Sequence, residues 1–249
     1  MFDLTCRDGV CRIFRPETRW LSTGYDGGES RGDVAYNVTV PEGWPETDLD
    51  TYIEGRLADA GFSGPGPTLL TGVDQRHARR ARFGPVEVVA TAGVSNPAAL
   101  PVEGLRDSVC HHDSVGDDGQ PRKSESSQSG DSHVGTVNVV VGTTRSLAPG
   151  ALPNLVAVAA EAKAATLLAR CGSPGTTTDA VVAACDPAGE LESFTGSATE
   201  VGHATRICVR DAVLASLDSR YDDREIPTSV ESAQYGVTAD ERATVSKIY

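Results

Sequence analysis

The sequence predicts an α+β fold, one domain in which helices pack against a mixed β-sheet, with a layered α/β sandwich as the alternative. Three observations carry that expectation. The first hundred residues read as short β-like runs broken by Gly-rich turns, which argues for antiparallel pairing. The run VGTVNVVVGTT (residues 134–144) carries consecutive valines, the mark of a strand buried on both faces. Beyond it, strand-like and helix-like stretches alternate as they do in βαβ units.

Taken in order, VCRIFRP (10–16), RWLST (19–23) and DVAYNVTV (33–40) are expected strands, with GYDGGESRG (24–32) as a turn-rich connection. An amphipathic helix is expected over 48–60, capped by Thr47 or Asp48 and stopped by Gly61. PTLLTGV (67–73) and GPVEVVATAGVSNP (84–97) supply two more strands, with a short polar helix between them at 74–82. Residues 106–133 are nearly free of apolar side chains and rich in Ser, Asp and Gly, which predicts a flexible polar insert. After the valine strand come a helix from about 153 to 170, the loop GSPGTTTD (172–179) and the strand DAVVAAC (179–185). A last long helix lies within 196–217, with Thr199 and Glu200 suited to its cap and first turn. Residues 1–105 and 134–218 thus form one domain, and 219–249 a polar tail or strap.

Composition excludes several functions. The net charge of −13, from 35 acidic against 22 basic residues, repels phosphates and argues against a nucleic-acid partner. Scarce lysine, abundant Asp and Glu, and many small residues suit a salty cytosol, where salt screens self-repulsion. No apolar run is expected to span a bilayer, and the charged N-terminus has no apolar core of a signal peptide, so a cytoplasmic protein is expected. None of the six cysteines forms a Cys-x-x-Cys pair. Cys171, Cys185 and Cys208 read as small core residues, while Cys6 and Cys11 can face each other on a hairpin without anything demanding a bond. His111, His112, Asp113 and His133 are metal-ligand types, but their stretch offers no scaffold or supporting shell, so no metal is expected.

The segment AEAKAATLLAR raises a sharper question, because lysine occurs only at 123, 163 and 247. On a helical wheel Lys163, Thr166 and Arg170 share one stripe, and Glu161 lies opposite among Val158, Ala165 and Leu168. This sets Lys163 toward solvent and Glu161 inward, where a carboxylate needs a partner or serves a site. The loop that follows offers hydroxyls and backbone N–H groups suited to an oxyanion. It has neither the phosphate-loop pattern nor a helix opening after it, and no Gly-x-Ser-x-Gly elbow occurs.

TAGVSNP (91–97), GTVNVVV (135–141), EAK (161–163), GTTTDAVV (175–182) and GSATEVGHA (196–204) occur in that order. The series resembles the adenosylcobinamide amidohydrolases, archaeal corrinoid-salvage enzymes, over roughly residues 20–217. STGYDGG and the later Asn37 are similar to that family's Ser…Gly-Gly…Asn stretch. The resemblance implies hydrolysis of the amide joining aminopropanol to the corrin's propionate arm, giving adenosylcobyric acid and 1-amino-2-propanol. It implies no cofactor, the corrinoid being the substrate; the charge and the lack of a long apolar run are what argue against a nucleic-acid or membrane partner. It places Ser22, Gly27, Gly28, Asn37, Thr91, Gly93, Asn96, Asn138, Thr176, Thr177, Thr178 and Gly202 at the substrate, and it places both Glu161 and Lys163 in the site against the wheel. For the chemistry, Glu161 is the candidate general base, the 176–178 loop the oxyanion holder, His203 the acid and Asp179 an orienting group, with water or a threonine as nucleophile. The rival expectation is a corrinoid-binding protein without hydrolysis.

Overall fold

The computed structural model describes residues 1–41, 48–102 and 135–248. The 106–133 insert, with Cys110, His111, His112, Asp113 and His133, lies outside the described residues, as does Thr47.

Strands β1 (Asp3–Arg7) and β2 (Val10–Ser22) form a hairpin whose Asp8-Gly9 turn takes positive φ at both residues. Cys6 stands directly opposite Cys11 across it, and the two are joined as a disulfide. Strand β3 (Gly28–Thr39) runs antiparallel to β2, with a register shift between Phe14 and Thr18. The two strands expected at 10–16 and 19–23 are therefore one long bulged strand. Pro16, which has no N–H to give, sits at the bulge beside Glu17 at φ 53°. The expected turn at 24–32 is also shorter, since residues 28–32 already pair with 18–22.

Helix α1 (Leu49–Asp59) is capped by Asp48, which accepts from Thr51 N, and Gly61 follows it at φ 70°. Strand β4 (Thr68–Thr71) lies parallel to β3. The polar helix expected at 74–82 is instead one 3₁₀ turn (Gln75–His77) followed by strand β5 (Arg79–Phe83). Alternation explains the error: Arg80 and Arg82 stand on one face of β5 and both reach the buried Glu87 of β6 (Val86–Ala92). The remaining elements are β7 (Ala98–Ala99), β8 (Val137–Thr143), β9 (Ser146–Leu147), α2 (Ala151–Cys171), β10 (Ala180–Cys185), β11 (Leu191–Glu192), α3 (Glu200–Arg220) and β12 (Val237–Thr238).

Eight strands form one mixed sheet in the order β4-β3-β2-β10-β8-β6-β5, with β1 added to β2. β8 and β10 are parallel, as are β3 and β4, and the other pairs are antiparallel. One face, with Val88, Ala90, Val137, Val139, Val181 and Ala183, packs under α2 and α3. The other, with Val89, Val140, Val182 and Ala184, meets Trp20, Ala35 and Leu69 as the sheet curls over itself. Burial on both faces is what the valine run of β8 records. Helix α1 covers the outside of the curl against Val34, Tyr36 and Val38.

Helix α2 corrects one expectation. Its 21 residues are long and apolar enough to cross a membrane by length and composition, yet half of that window is buried within the fold. The chain after α3 is a strap, with Tyr235, Val237 and Ala239 donating backbone N–H groups to Ser95, Pro97 and Ala99. Cys171, Cys185 and Cys208 are free and buried.

Candidate active site

Polar residues collect at the end of the sheet where β6 finishes and β8 and β10 begin. They form two groups, one on each face, because side chains alternate along β8 and β10.

The inner group lies inside the curl. Asn138 of β8 pairs with Thr91 of β6 on one side and Ala180 of β10 on the other, and Ser22 of β2 pairs with Val182. Asn37 crosses over from β3. Its Nδ2 donates to Thr91 Oγ1 at 3.0 Å and to Gln75 Oε1 at 3.4 Å, and its Oδ1 accepts from Asn138 Nδ2 at 2.9 Å. Asn138 Nδ2 also donates to the Leu70 carbonyl at 3.0 Å. One residue pair further out, Thr136 and Thr178 share a hydroxyl–hydroxyl bond of 2.7 Å, and Thr178 is exposed.

The helix-side group centres on Asp179. Its Oδ1 accepts from Val137 N at 2.9 Å and from the Thr176 hydroxyl, and its Oδ2 accepts from Thr176 N at 3.0 Å and from Lys163 Nζ. Four donors saturate the carboxylate, so it serves as the knot that holds the 175–179 loop. The Lys163 and Asp179 side chains are each 11% exposed. Gly175 leaves room for this pair, since a Cβ there would sit 2.6 Å from Asp179 Oδ2 and 2.9 Å from Lys163 Nζ. The loop is laced to residues 96–98 by Asn96 Nδ2 to Thr177 Oγ1 at 2.6 Å, Thr177 N to Asn96 O at 3.2 Å and Ala98 N to Gly175 O at 2.9 Å.

Beside this end, Ser22, Gly27 and Gly28 line a cleft of ≈ 960 Å³ with Trp20, Tyr25 and Thr68. Gly27 packs where a Cβ would stand 2.5 Å from Ser22 O, and Gly28 takes φ 115°. Gly93 lies against the Val73 and Arg220 side chains with no space for a Cβ.

The structure thus gathers Ser22, Asn37, Thr91, Gly93, Asn96, Asn138, Lys163, Thr176, Thr177, Thr178 and Asp179 at one end of the sheet. It leaves three expected residues elsewhere. Glu161 is on the exposed side of α2, its side chain 62% exposed and ion-paired with Arg206 of α3. The wheel therefore misplaces part of α2: Lys163 and Thr166 are buried and Leu168 is 49% exposed, while Arg170 is exposed and Val158 buried as the wheel has them. Alanine gives a wheel almost no direction, and the buried Leu152, Leu155 and Leu167 are the residues that orient it. His203 is exposed, edge-on to Phe83 on the outer side of α3. Gly202 packs in the first turn of α3 against the Thr195 and Gly196 carbonyls.

Three residues of the cluster escaped the sequence reading: Gln75, Thr136 and Gly175. Thr136 and Gly175 lie inside motifs already singled out and were readable there. Gln75 sits in a polar, Arg-rich stretch with no pattern to mark it. Among the described residues, no group of three His, Cys, Asp or Glu is placed to hold a metal ion. The arrangement offers hydroxyls, carboxamides and backbone N–H groups, which suits binding and polarising an amide.

A sequence profile of the family described as adenosylcobinamide amidohydrolase matches residues 2–225. A Halobacterium salinarum protein named adenosylcobinamide amidohydrolase is 53% identical over 247 residues, covering 98% of this chain and 99% of that protein. One of the same name from Methanosarcina mazei is 24% identical over 218 residues, covering 84% of this chain and 94% of its own. Among solved structures, the L-aminopeptidase D-Ala-esterase/amidase of Ochrobactrum anthropi matches with a TM-score of 0.37 at 14% identity, over 87% of this chain and 82% of that one. That last likeness is too loose to carry an argument. The sequence matches span the whole sheet, both long helices and every strand end that builds the polar cluster, and this chain belongs to the adenosylcobinamide amidohydrolase family.

Proposed function

We propose that this chain hydrolyses the amide bond of adenosylcobinamide, giving adenosylcobyric acid and 1-amino-2-propanol. The observation that carries the reading is the 53% identity to a protein of that name across nearly the full length of both chains. In the reaction, water oxygen bonds to the amide carbon, the C–N bond breaks, and the leaving nitrogen takes a proton. The exposed Thr178 hydroxyl, paired with Thr136, meets the substrate carbonyl. The Lys163–Asp179 pair fixes the loop that presents it, and both act by placement. Ser22, Gly27 and Gly28 border the adjoining cleft, where the corrinoid periphery docks. No added cofactor takes part, since the corrinoid is substrate.

The setting is a salt-rich cytoplasm of an archaeal cell. The acidic excess of 35 over 22 and the Halobacterium relative both support it. The test is incubation of purified protein with adenosylcobinamide in about 2 M KCl, a level chosen to screen the surface charge, without ATP. The expected result is adenosylcobyric acid and free 1-amino-2-propanol by mass. Intact substrate that nonetheless co-elutes with the protein would instead mark a corrinoid-binding protein.

A further inference from the structure

The carboxamides inside the curl form a chain whose direction is fixed at both ends by backbone carbonyls, which can only accept. At one end the Thr39 hydroxyl donates to Val73 O at 2.9 Å. Its oxygen is then an acceptor, and it takes Gln75 Nε2 at 3.1 Å. Gln75 must therefore turn Oε1 toward Asn37, which supplies Nδ2. Asn37 in turn presents Oδ1 to Asn138 and receives its Nδ2. At the other end Asn138 Nδ2 also donates to Leu70 O, so this second anchor demands the same orientation. Flipping Asn138 would set its oxygen against two acceptors. The consequence is an acceptor left over: Asn138 Oδ1 is buried, on a residue 1% exposed, with no hydrogen-bond partner among the described residues. Leaving a buried acceptor unmet is costly, and proteins keep such groups where something else supplies the donor.

We propose that Asn138 Oδ1 accepts the N–H of the scissile secondary amide, and that Gln75 is the positioning residue that holds this oxygen toward the substrate through Asn37. The proposal rests on the amidohydrolase reading and deepens it: it states why the site takes a secondary amide. Asn138 stands one residue from Val137, whose N–H holds Asp179, and two from Thr136, which pairs with the exposed Thr178. Asn138 and Thr136 lie two residues apart on one face of the β8 end, so a single amide group set along that face would offer its N–H to Asn138 and its carbonyl to the threonine pair. A donor is required at Asn138, and an ester, which has none, leaves that oxygen unpaired.

The test compares kcat/KM for adenosylcobinamide and for its ester analogue, in which oxygen replaces the amide nitrogen, in the wild type and in Asn138→Leu. Loss of one buried hydrogen bond predicts that the variant lowers the amide-to-ester ratio about 10- to 100-fold. Gln75→Met, remote from the substrate, should lower the same ratio about 3- to 10-fold, a smaller share of the same bond. That variant decides the matter if Asn138→Leu does not fold. Equal falls for amide and ester, or an unchanged ratio, in a folded variant would overturn the proposal while the wild type's turnover of the amide keeps the hydrolase reading intact. A wild type that releases no acid from the amide would remove both.

Discussion

Two of the ion pairs on helix α2 start two residues apart, at Glu161 and Lys163, and they behave as opposites. Glu161 meets Arg206 at 3.1 Å with 62% and 42% of the side chains exposed. Lys163 meets Asp179 with 11% of each exposed. The first lies in water between two helices and is of the kind worth about 0–1 kcal/mol. The second joins a helix to the loop that opens β10, and its carboxylate also collects two backbone N–H groups and a hydroxyl. A charge in that position cannot lose its partner without being stranded away from water. The comparison teaches that an ion pair's role follows from what else the carboxylate holds, and from burial.

The largest effect should come from breaking the buried pair. Lys163→Met should lower stability by about 3–5 kcal/mol, because Asp179 is left charged without its counter-ion. A denaturant titration at fixed salt measures it. Adding Asp179→Leu to that variant should return part of the stability without returning turnover, since the 175–179 loop then has no anchor. Full recovery of turnover would mean that the pair does not shape the site.

Next is the space beside it. Gly175→Ala places a methyl 2.6 Å from Asp179 Oδ2 and 2.9 Å from Lys163 Nζ. Prying the pair apart should cost about 1–3 kcal/mol, the usual penalty for overfilling a packed site. A thermal melt and the product assay, run on the same preparation, should fall together.

Burial also shows in the thiols. Burial pushes Cys171 and Cys208 up from 9.0 to about 11. The folded chain therefore keeps these protons where the unfolded chain has lost them. That contribution to stability is whole below pH 9 and lost as pH rises through about 11. Unfolding titrations at pH 8 and 10 should show the decline, and the Cys171→Ala, Cys208→Ala double variant should flatten it.

The smallest effect is expected at the exposed pair. Glu161→Gln should change stability by less than about 1 kcal/mol, and less again as salt rises. A shift several times larger would show that Glu161 does more than face solvent.

How far the sequence was legible follows the same division. Strands β6, β8 and β10 were readable because continuous valine and alanine runs announce burial on both faces. Helix α3 was readable from Thr199, whose hydroxyl accepts from Gly202 N, as its position suggests. The orientation of α2 was not, since its alanines are compatible with either face and only three leucines point the way. The motif resemblance, by contrast, put Lys163 and Asp179 in one site without geometry. Gln75 and the direction of the Asn37–Asn138 chain could not be read at all, because they depend on the sheet curling until β4 and β3 reach β8. His203 and Gly202 share a motif with Thr199 yet stand on the exposed side and in the first-turn packing of α3, away from the polar cluster.

The most direct test of the central claim, that the site is built on the Lys163 side of α2, is a pair of single-turnover rates on adenosylcobinamide. Lys163→Met and Glu161→Gln should be compared in preparations shown to be folded under the assay conditions. The account predicts a loss of about 100-fold or more for Lys163→Met, the scale of a misplaced reacting group. For Glu161→Gln it predicts a rate within about 3-fold of wild type, as for other exposed pairs. A Glu161→Gln enzyme that is folded but inactive, beside a Lys163→Met enzyme that turns over normally, would contradict it.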